Sequence, residues 1–331
     1  MLIYDNLSEN EVVKSSIKED KLKAFEEKVK LDYSNIVSIN IVKNEEIIYE
    51  KAFKDYKIND SLHVASVTKS FLSAIVGILI DRKLIESIDQ KVLDFFPEYK
   101  TKDNKKQDIT LRNLLTMTAP YKYKTEPFKK LCCSDDWTEY ALNLLGGKDQ
   151  IGDFKYSTAG AHIISSIITK VTGNNALAFA NENLFAPLSI SQLENYFVTL
   201  ETYFSFLKDK NKRVWIVDTK NNSAGGWGLS LNVREMSKFG QLYLSKGVFN
   251  NNRIISEDWI NDSWKNNKNS YGYLWWLIDN KYKLNCAIGD GGNIICVIPE
   301  LNVVISILCE FKPRVKDRIE LITNTIIPMI K

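Results

Sequence analysis

HVASVTKSFLSAIVGILIDR, residues 63–82, decides how the rest of the chain is read. From Ser70 to Arg82 it is an apolar run of helical length, and Ser66 and Lys69 stand at its start. A spacing of three puts the serine and the lysine on one face of a helix, one turn apart, so that the ammonium reaches the hydroxyl. The unpaired N–H groups and the dipole at a helix start favour negative charge developing on that oxygen. These are the requirements of an activated serine nucleophile. S-x-x-K recurs at Ser15–Lys18 and Ser205–Lys208, in lysine-rich surroundings with no long apolar helix behind it. A serine that merely caps a core helix gives the same tetrad, so the assignment needs partners elsewhere in the chain.

The 331 residues suffice for one large unit or two joined lobes. Apolar residues at 44% and charged residues at 26% describe an ordinary globular chain. Lys and Arg number 44 against 41 Asp and Glu, and a net charge of +3 leaves no basic footprint for nucleic acid or a membrane surface. The lysines of Lys100–Lys106 read as a solvated loop. The start, MLIYDNLSENEVVKSS, lacks the basic, apolar and cleavage regions of a leader. The longest apolar stretch, Phe71–Ile80, is too short for a bilayer span of ~20 residues. The expectation is a cytoplasmic protein. Its five cysteines agree, being odd in number with Cys132 and Cys133 adjacent. Cys286, Cys296 and Cys309 fall in apolar runs, where buried, reduced thiols belong. Without C-x-x-C, and with His63 and His162 as the two histidines, no zinc-site pattern emerges. His63, three residues before Ser66, is a candidate for the entrance to a site.

Residues 17–31 read as a charged amphipathic helix, and 35–43 with 47–53 as a strand hairpin. From the Ser66 helix to about residue 265 the pattern is mostly helical, at 111–117, 135–145, 160–173 and 232–247. The last carries Asn232 as its cap and Gly247 just past its end. Strand patterns return at 271–278, 282–288, 293–299 and 302–309, before an amphipathic helix from about Val315. Sheet segments at both chain ends predict an α+β fold. One antiparallel sheet, from residues 1–62 and 268–331, is flanked by the terminal helices and stands beside an inserted all-helical lobe, 63–267. The Ser66 helix lies where the chain crosses between them, and clefts between lobes are preferred ligand sites.

Four further segments line up behind HVASVTKSF. They are ITLRNLLTMT (109–118), FKYSTAGAHIISSIITKVTG (154–173), SAGGWGLSLNVREMSKFGQLYLSKG (223–247) and AIGDGGNIICVIPELNVVI (287–305). In this order, from about residue 35 to 310, the chain resembles the serine β-lactamase and penicillin-recognising superfamily. Within it the chain looks nearest to class C β-lactamases, family VIII carboxylesterases and nylon-oligomer hydrolases. The resemblance implies a β-lactamase/transpeptidase-like fold and chemistry without a metal or organic cofactor. It makes Ser66 the acylated nucleophile, Lys69 the motif lysine and Tyr156 the tyrosine of the Y-x-N element. It makes the backbone N–H groups of Ser66 and Asp290 the oxyanion hole, each such donor commonly worth about 10²–10³ in rate. Thr158, Gly289, Gly291 and Trp227 become substrate-binding candidates, the glycines because backbone there approaches substrate closely. In water tyrosine and lysine titrate near ~10 and ~10.4, so each needs the other beside it to serve as a base near neutrality. Which of the pair takes the Ser66 proton stays open. Trp275 and Trp276 are either aromatic walls of the site or core residues on opposite sides of a strand.

Two departures from the family pattern bear on substrate. Y-x-N reads Tyr156-Ser157-Thr158, replacing an amide by a hydroxyl, and Ile288-Gly289-Asp290 stands where K-T-G would supply a cation. A carboxylate at Asp290 repels β-lactams and D-Ala-D-Ala peptides, which carry one of their own. The expected protein is a serine hydrolase working through an acyl-enzyme on small neutral or cationic esters or amides. Its partner is a small-molecule substrate, with no nucleic acid and no membrane. A weak β-lactamase or D-amino-acid amidase or peptidase is the first alternative, favoured if a base from Lys122 or Lys124 reaches the cleft. A non-catalytic binding member of the fold is the second.

Overall fold

Ile36–Lys43 and Val303–Cys309 are buried at nearly every position, the pattern of strands covered on both faces. In the computed structural model, which describes residues 12–13, 17–199, 201–267 and 269–331, they lie side by side in the middle of a seven-stranded sheet. The strands are β1 (Val12–Val13), β2 (Ile36–Lys43), β3 (Glu46–Ala52), β4 (Trp276–Asp279), β5 (Lys283–Gly289), β6 (Asn293–Ile298) and β7 (Val303–Cys309). Their spatial order is β1-β3-β2-β7-β6-β5-β4, antiparallel throughout. Direct pairing of β2 with β7, from Lys43–Val303 to Ile36–Cys309, joins the two ends of the chain across the long insert. The leader reading and Ser15 of the first stray tetrad fall on residues outside those described.

Alternate side chains of these strands enter different cores. Ile39, Ile41, Ile294, Cys296, Ile305 and Ile307 pack with Phe25 and Val29 of α1 (Glu19–Asp32) and with the C-terminal helix. Val37, Val42, Ile295, Val297, Val304 and Leu308 belong to the core shared with the insert. Within the insert run α2 (Thr68–Asp81), α3 (Trp137–Leu144), α4 (Thr158–Thr172) and α5 (Val233–Leu244). The C-terminal helix α6 begins at Arg318–Leu321 and continues through a π-type stretch, Ile322–Ile326, to Ile327–Ile330. Every residue of α2 from Thr68 to Leu79 is buried, so the helix carrying Lys69 is the axis of the insert.

α5 fastens the insert to the sheet. Asn232 and Glu235 form the reciprocal capping box at its start, and Gly247, at φ +85°, follows its end. A Cβ at Gly240 would come within 2.5 Å of Val304, so only glycine lets the helix lie this close to β7. Arg234 meets Glu50 of β3 through Nε at 2.9 Å and through its terminal nitrogen at 2.6 Å, and the same carboxylate accepts from Asn40 of β2.

The insert is predominantly helical and among its described residues also holds three two-stranded ribbons. These are Leu62–His63 with Ser230–Leu231, Glu194–Tyr196 with Val214–Ile216, and Val248–Phe249 with Asn252–Arg253. Strands of two or three residues are too short to show a period in sequence. The expected strand at 271–278 starts only at Trp276. Before it the chain turns, with Leu274 at φ +59° and Gly272 seated on the Ser263 carbonyl. All five cysteines are free, and Cys286 and Cys296 face each other on β5 and β6. Among the described residues no helix is long and apolar enough to cross a membrane, and no three His, Cys, Asp or Glu residues are grouped to hold a metal ion.

Removing one partner of a buried ion pair leaves a charge without compensation, typically a loss of about 3–5 kcal/mol. Glu50→Ala is therefore expected to lower the urea midpoint by that much stability. A loss below about 1 kcal/mol would mean that the Arg234 pairing does not tie α5 to the sheet.

Candidate active site

The chain arrives at Ser66 through strain. Ala65 has φ +50°, the left-handed region, where a residue with a Cβ pays a conformational penalty. Ser66 then sits in a 3₁₀ turn, Ala65–Val67, so the nucleophile candidate precedes α2 rather than opening it, while Lys69 lies in the first α turn. The turn is pressed against the end of β5. A Cβ at Gly289 would stand 2.2 Å from the Val64 carbonyl oxygen and 3.2 Å from the Ser66 nitrogen. Only glycine allows that approach.

Lys69 is 1% exposed, and its ammonium donates to Ser66 Oγ at 2.9 Å and to the Gly226 carbonyl at 2.8 Å. A buried cation is tolerated when such dipoles replace water. The face of the Tyr156 ring completes the cage, with Lys69 Nζ 4.8 Å from its centroid. Gly226 is forced to be small, because a Cβ there would be 2.4 Å from Thr158 Cγ2 and 3.1 Å from Lys69 Nζ. Ser66, Lys69, Tyr156 and Thr158, read from separate stretches of sequence, thus gather around one ammonium, and Gly289 closes on the Ser66 turn.

Tyr156 is placed by its neighbours. Trp276 stacks on its ring with centroids 5.7 Å apart, and Tyr271 meets it edge-on at 6.1 Å. Burial and then Tyr156 itself push the Tyr271 phenol well above its usual range. The turn that follows is held by Glu126, which the sequence reading missed. Its carboxylate accepts the N–H groups of Thr158 at 3.0 Å and Ala159 at 2.7 Å, together with the Ser157 and Tyr123 hydroxyls, each at 3.1 Å. Ser157 caps the same helix by accepting from Gly160 N–H at 2.9 Å. A carboxylate at a helix N-terminus is favoured by the dipole, but thirty residues of separation leave no local signal for it. Lys155 donates to the Tyr121 carbonyl at 3.3 Å, to the Tyr123 carbonyl and to Asp149.

The Gly289–Asn293 turn is braced from behind. Asn293 donates to the Asp290 carbonyl at 3.2 Å and to the His63 carbonyl at 3.4 Å, while its Oδ1 accepts the Cys309 N–H at 2.9 Å. Asn35 donates to the Gly291 carbonyl at 2.7 Å and accepts from Arg318 at 2.6 Å. Asp290 is exposed, and its carboxylate accepts the Gly291 N–H at 2.8 Å, with Gly291 at φ +79°. Ile288 packs toward the core beneath α1 and α6. Asn293 carries no periodic signal of its own in the sequence.

His63, Trp227, Trp275 and Trp276 separate. His63 packs on Phe206 and Trp227, and its Nε2 accepts the Gly228 N–H at 3.0 Å. Burial lowers it to about 3, so it stays neutral and serves to seat the 226–228 loop. Trp275 is core, stacked near Phe239 and Tyr243, whereas Trp276 backs Tyr156. Trp227 leaves the Lys69 cage to wall an aromatic cavity with Phe128 and Tyr203. The Tyr203 phenol is pushed up by burial and by Cys132 and Asp290, so the Asp290 charge is felt on that side.

The sequence profile of the family described as Beta-lactamase matches residues 36–326. The 6-aminohexanoate-dimer hydrolase of Paenarthrobacter ureafaciens is 21% identical over 296 residues, which are 80% of this chain and 70% of that protein. A solved family VIII carboxylesterase superposes with a TM-score of 0.68 at 16% identity, covering 95% of this chain and 98% of the other. The class C β-lactamase from Rhodobacter sphaeroides gives 0.69 at 12% identity, over 95% and 100% of the two chains. At such identities the superpositions speak for the fold, while the profile runs from the first long strand into the C-terminal helix. The chain belongs to the β-lactamase family of serine hydrolases.

Proposed function

We propose that this protein is a cytoplasmic serine hydrolase that cleaves small esters or amides through an acyl-enzyme on Ser66. The observation that carries the reading is the buried Lys69 ammonium, 2.9 Å from Ser66 Oγ and flanked by the Tyr156 ring. In the proposed cycle the Lys69–Tyr156 pair enters holding one proton between its amine and phenolate; Ser66 Oγ bonds to the substrate carbonyl carbon and its proton passes to that pair. The N–H groups of Ser66 and Asp290 receive the charge that moves onto the carbonyl oxygen. Collapse breaks the bond to the alcohol or amine, which leaves with the proton held by the pair. Water then attacks the acyl carbon, gives a proton to the same pair, and the acid departs as Ser66 Oγ regains its proton.

Substrate choice follows from the charge beside that site. Asp290 is a carboxylate, Ile288 is apolar, and Lys155 is engaged by two carbonyls and Asp149. This arrangement supports neutral or cationic substrates over those bearing a carboxylate beside the scissile bond. The hydrolase and carboxylesterase names among the similar proteins are in keeping with ester or amide cleavage. Free, mostly buried cysteines support the cytoplasmic assignment.

Intact mass after exposure to a fluorophosphonate is expected to show one adduct on the wild type and none on Ser66→Ala; a folded wild type that takes up no adduct would sink the reading. Tyr156→Phe is expected to lower kcat by about 10²–10⁴, the usual worth of a positioned acid or base. An unchanged kcat takes Tyr156 out of the reaction. Asn293 is proposed to position the oxyanion donors, since one amide bridges the approach to Ser66 and the Asp290 turn. Asn293→Asp is expected to reduce kcat about 10–100-fold with KM nearly constant. An effect confined to KM would contradict that role.

A further inference from the structure

The acyl-enzyme cycle leaves unused a cavity of about 680 Å³ beside the site, lined by Phe128, Cys132, Trp137, Phe197, Tyr203 and Trp227 among others. That size lies within the ~300–1,000 Å³ range of small-molecule sites. Its aromatic wall is continuous. Trp227 meets Phe128 edge-on at 5.5 Å and Tyr203 at 5.7 Å, and stacks over Trp137 at 6.3 Å. Burial, then Cys133 and Glu126, push the Cys132 thiol up to about 12, so it presents a neutral, weakly polar surface to the cavity.

The cavity is joined to the neighbourhood of the reacting groups through Trp227. Trp227 directly follows Gly226, whose carbonyl holds the Lys69 ammonium, and its ring packs against His63, three residues before Ser66. On the other side, Asp290 acts on the Tyr203 phenol after burial and Cys132. At the rim two large apolar side chains face water, Phe204 at 70% exposure and Phe197 at 53%. Single exposed phenylalanines are ordinary, but two on the lip of one aromatic cavity form a continuous apolar approach. Lys129 and Asp135, of opposite charge, are the charged residues of the lining.

We propose that this cavity is the acyl pocket of the enzyme and takes a bulky, uncharged aromatic or branched apolar acyl group. The proposal rests on the acyl-enzyme reading above. It assigns the acyl side because the departing group takes its proton from the Lys69–Tyr156 pair and so leaves on the Tyr156 side. Tyr156 is walled by Trp276 and Tyr271, neither of which lines the cavity. The two walls use separate residues, so the scissile bond is flanked by two distinct surfaces. The larger apolar surface receives the acyl side, and Asp290 disfavours an acyl group bearing its own carboxylate.

The test holds the leaving group constant. p-Nitrophenyl acetate and p-nitrophenyl 2-naphthylacetate are compared on the wild type, Cys132→Phe and Phe204→Ala. Each buried methylene is worth about fourfold, so the aromatic ester is expected to exceed the acetate at least ~100-fold in kcat/KM on the wild type. Cys132→Phe narrows the cavity by placing a ring in it and should cut that ratio at least ~10-fold. Phe204→Ala, at an exposed position where folding is not at stake, should cut it several-fold. Acetate hydrolysis through Ser66 with a ratio near one, unmoved by both variants, would overturn the pocket and leave the hydrolase reading standing. A gain that follows the alcohol instead, with 2-naphthyl acetate favoured and its advantage lost in Cys132→Phe, would overturn the acyl assignment. Failure of both esters together with no fluorophosphonate adduct on Ser66 would overturn the hydrolase reading itself.

Discussion

The buried ammonium of Lys69 is the constraint around which the site is organised. An ionised group taken out of water has to be surrounded by dipoles, and each dipole that Lys69 recruits comes from a different part of the chain. Ser66 supplies a hydroxyl from the turn before α2, Gly226 a carbonyl from the loop before α5, and Tyr156 a ring face from the start of α4. Gly226 cannot carry a side chain because the ammonium and Thr158 already occupy the space. The cage therefore gathers the candidate catalytic residues and, with the same contacts, joins three segments of the insert.

The second half of the site is delivered by the sheet. β7 pairs with β2, β6 with β7 and β5 with β6, so the Gly289–Asn293 turn is carried to the Ser66 turn by consecutive registers. Errors in register would move that turn by whole residues, and the close contact of Gly289 with Val64 and Ser66 leaves no room for them. Asn293 and Asn35 tie the turn to the His63 approach, to β7 and to Arg318 of α6. Distant parts of the chain thus converge on one backbone position whose N–H is proposed to hold the oxyanion. Preorganised donors of this kind act without rearrangement as charge develops.

Charge and apolar surface divide the surroundings of the proposed nucleophile. An exposed carboxylate stands at Asp290, and an aromatic cavity is walled by Trp227. In the proposed reading both features select by what they exclude: the carboxylate repels anions, and the aromatic wall offers no partner to a charged acyl group. Specificity within one fold is then a matter of a few side chains around a fixed reaction centre.

The sequence by itself determined the features that depend on near neighbours. Strand runs at both ends, the apolar axis of α2, the Asn232 cap with Glu235 and the three-residue spacing of Ser66 and Lys69 are all local, and apart from the late start of β4 at Trp276 each appears in the structure where its pattern placed it. The α+β architecture followed, because two separated groups of strands can complete one sheet only by pairing across the insert. Ribbons of two or three residues, the turn at Leu274 and the 3₁₀ turn at Ser66 were not legible, being shorter than any hydrophobic period. Only the tertiary structure decided that Glu126 fixes the Tyr156 turn, that Asn293 bridges His63 and Asp290, that His63 is a neutral packing residue, and that Trp275 is core while Trp276 backs Tyr156. Hydrogen bonds and ring contacts between residues tens to hundreds of positions apart leave no spacing to read, since their partners become neighbours only once the sheet and the insert have closed on each other.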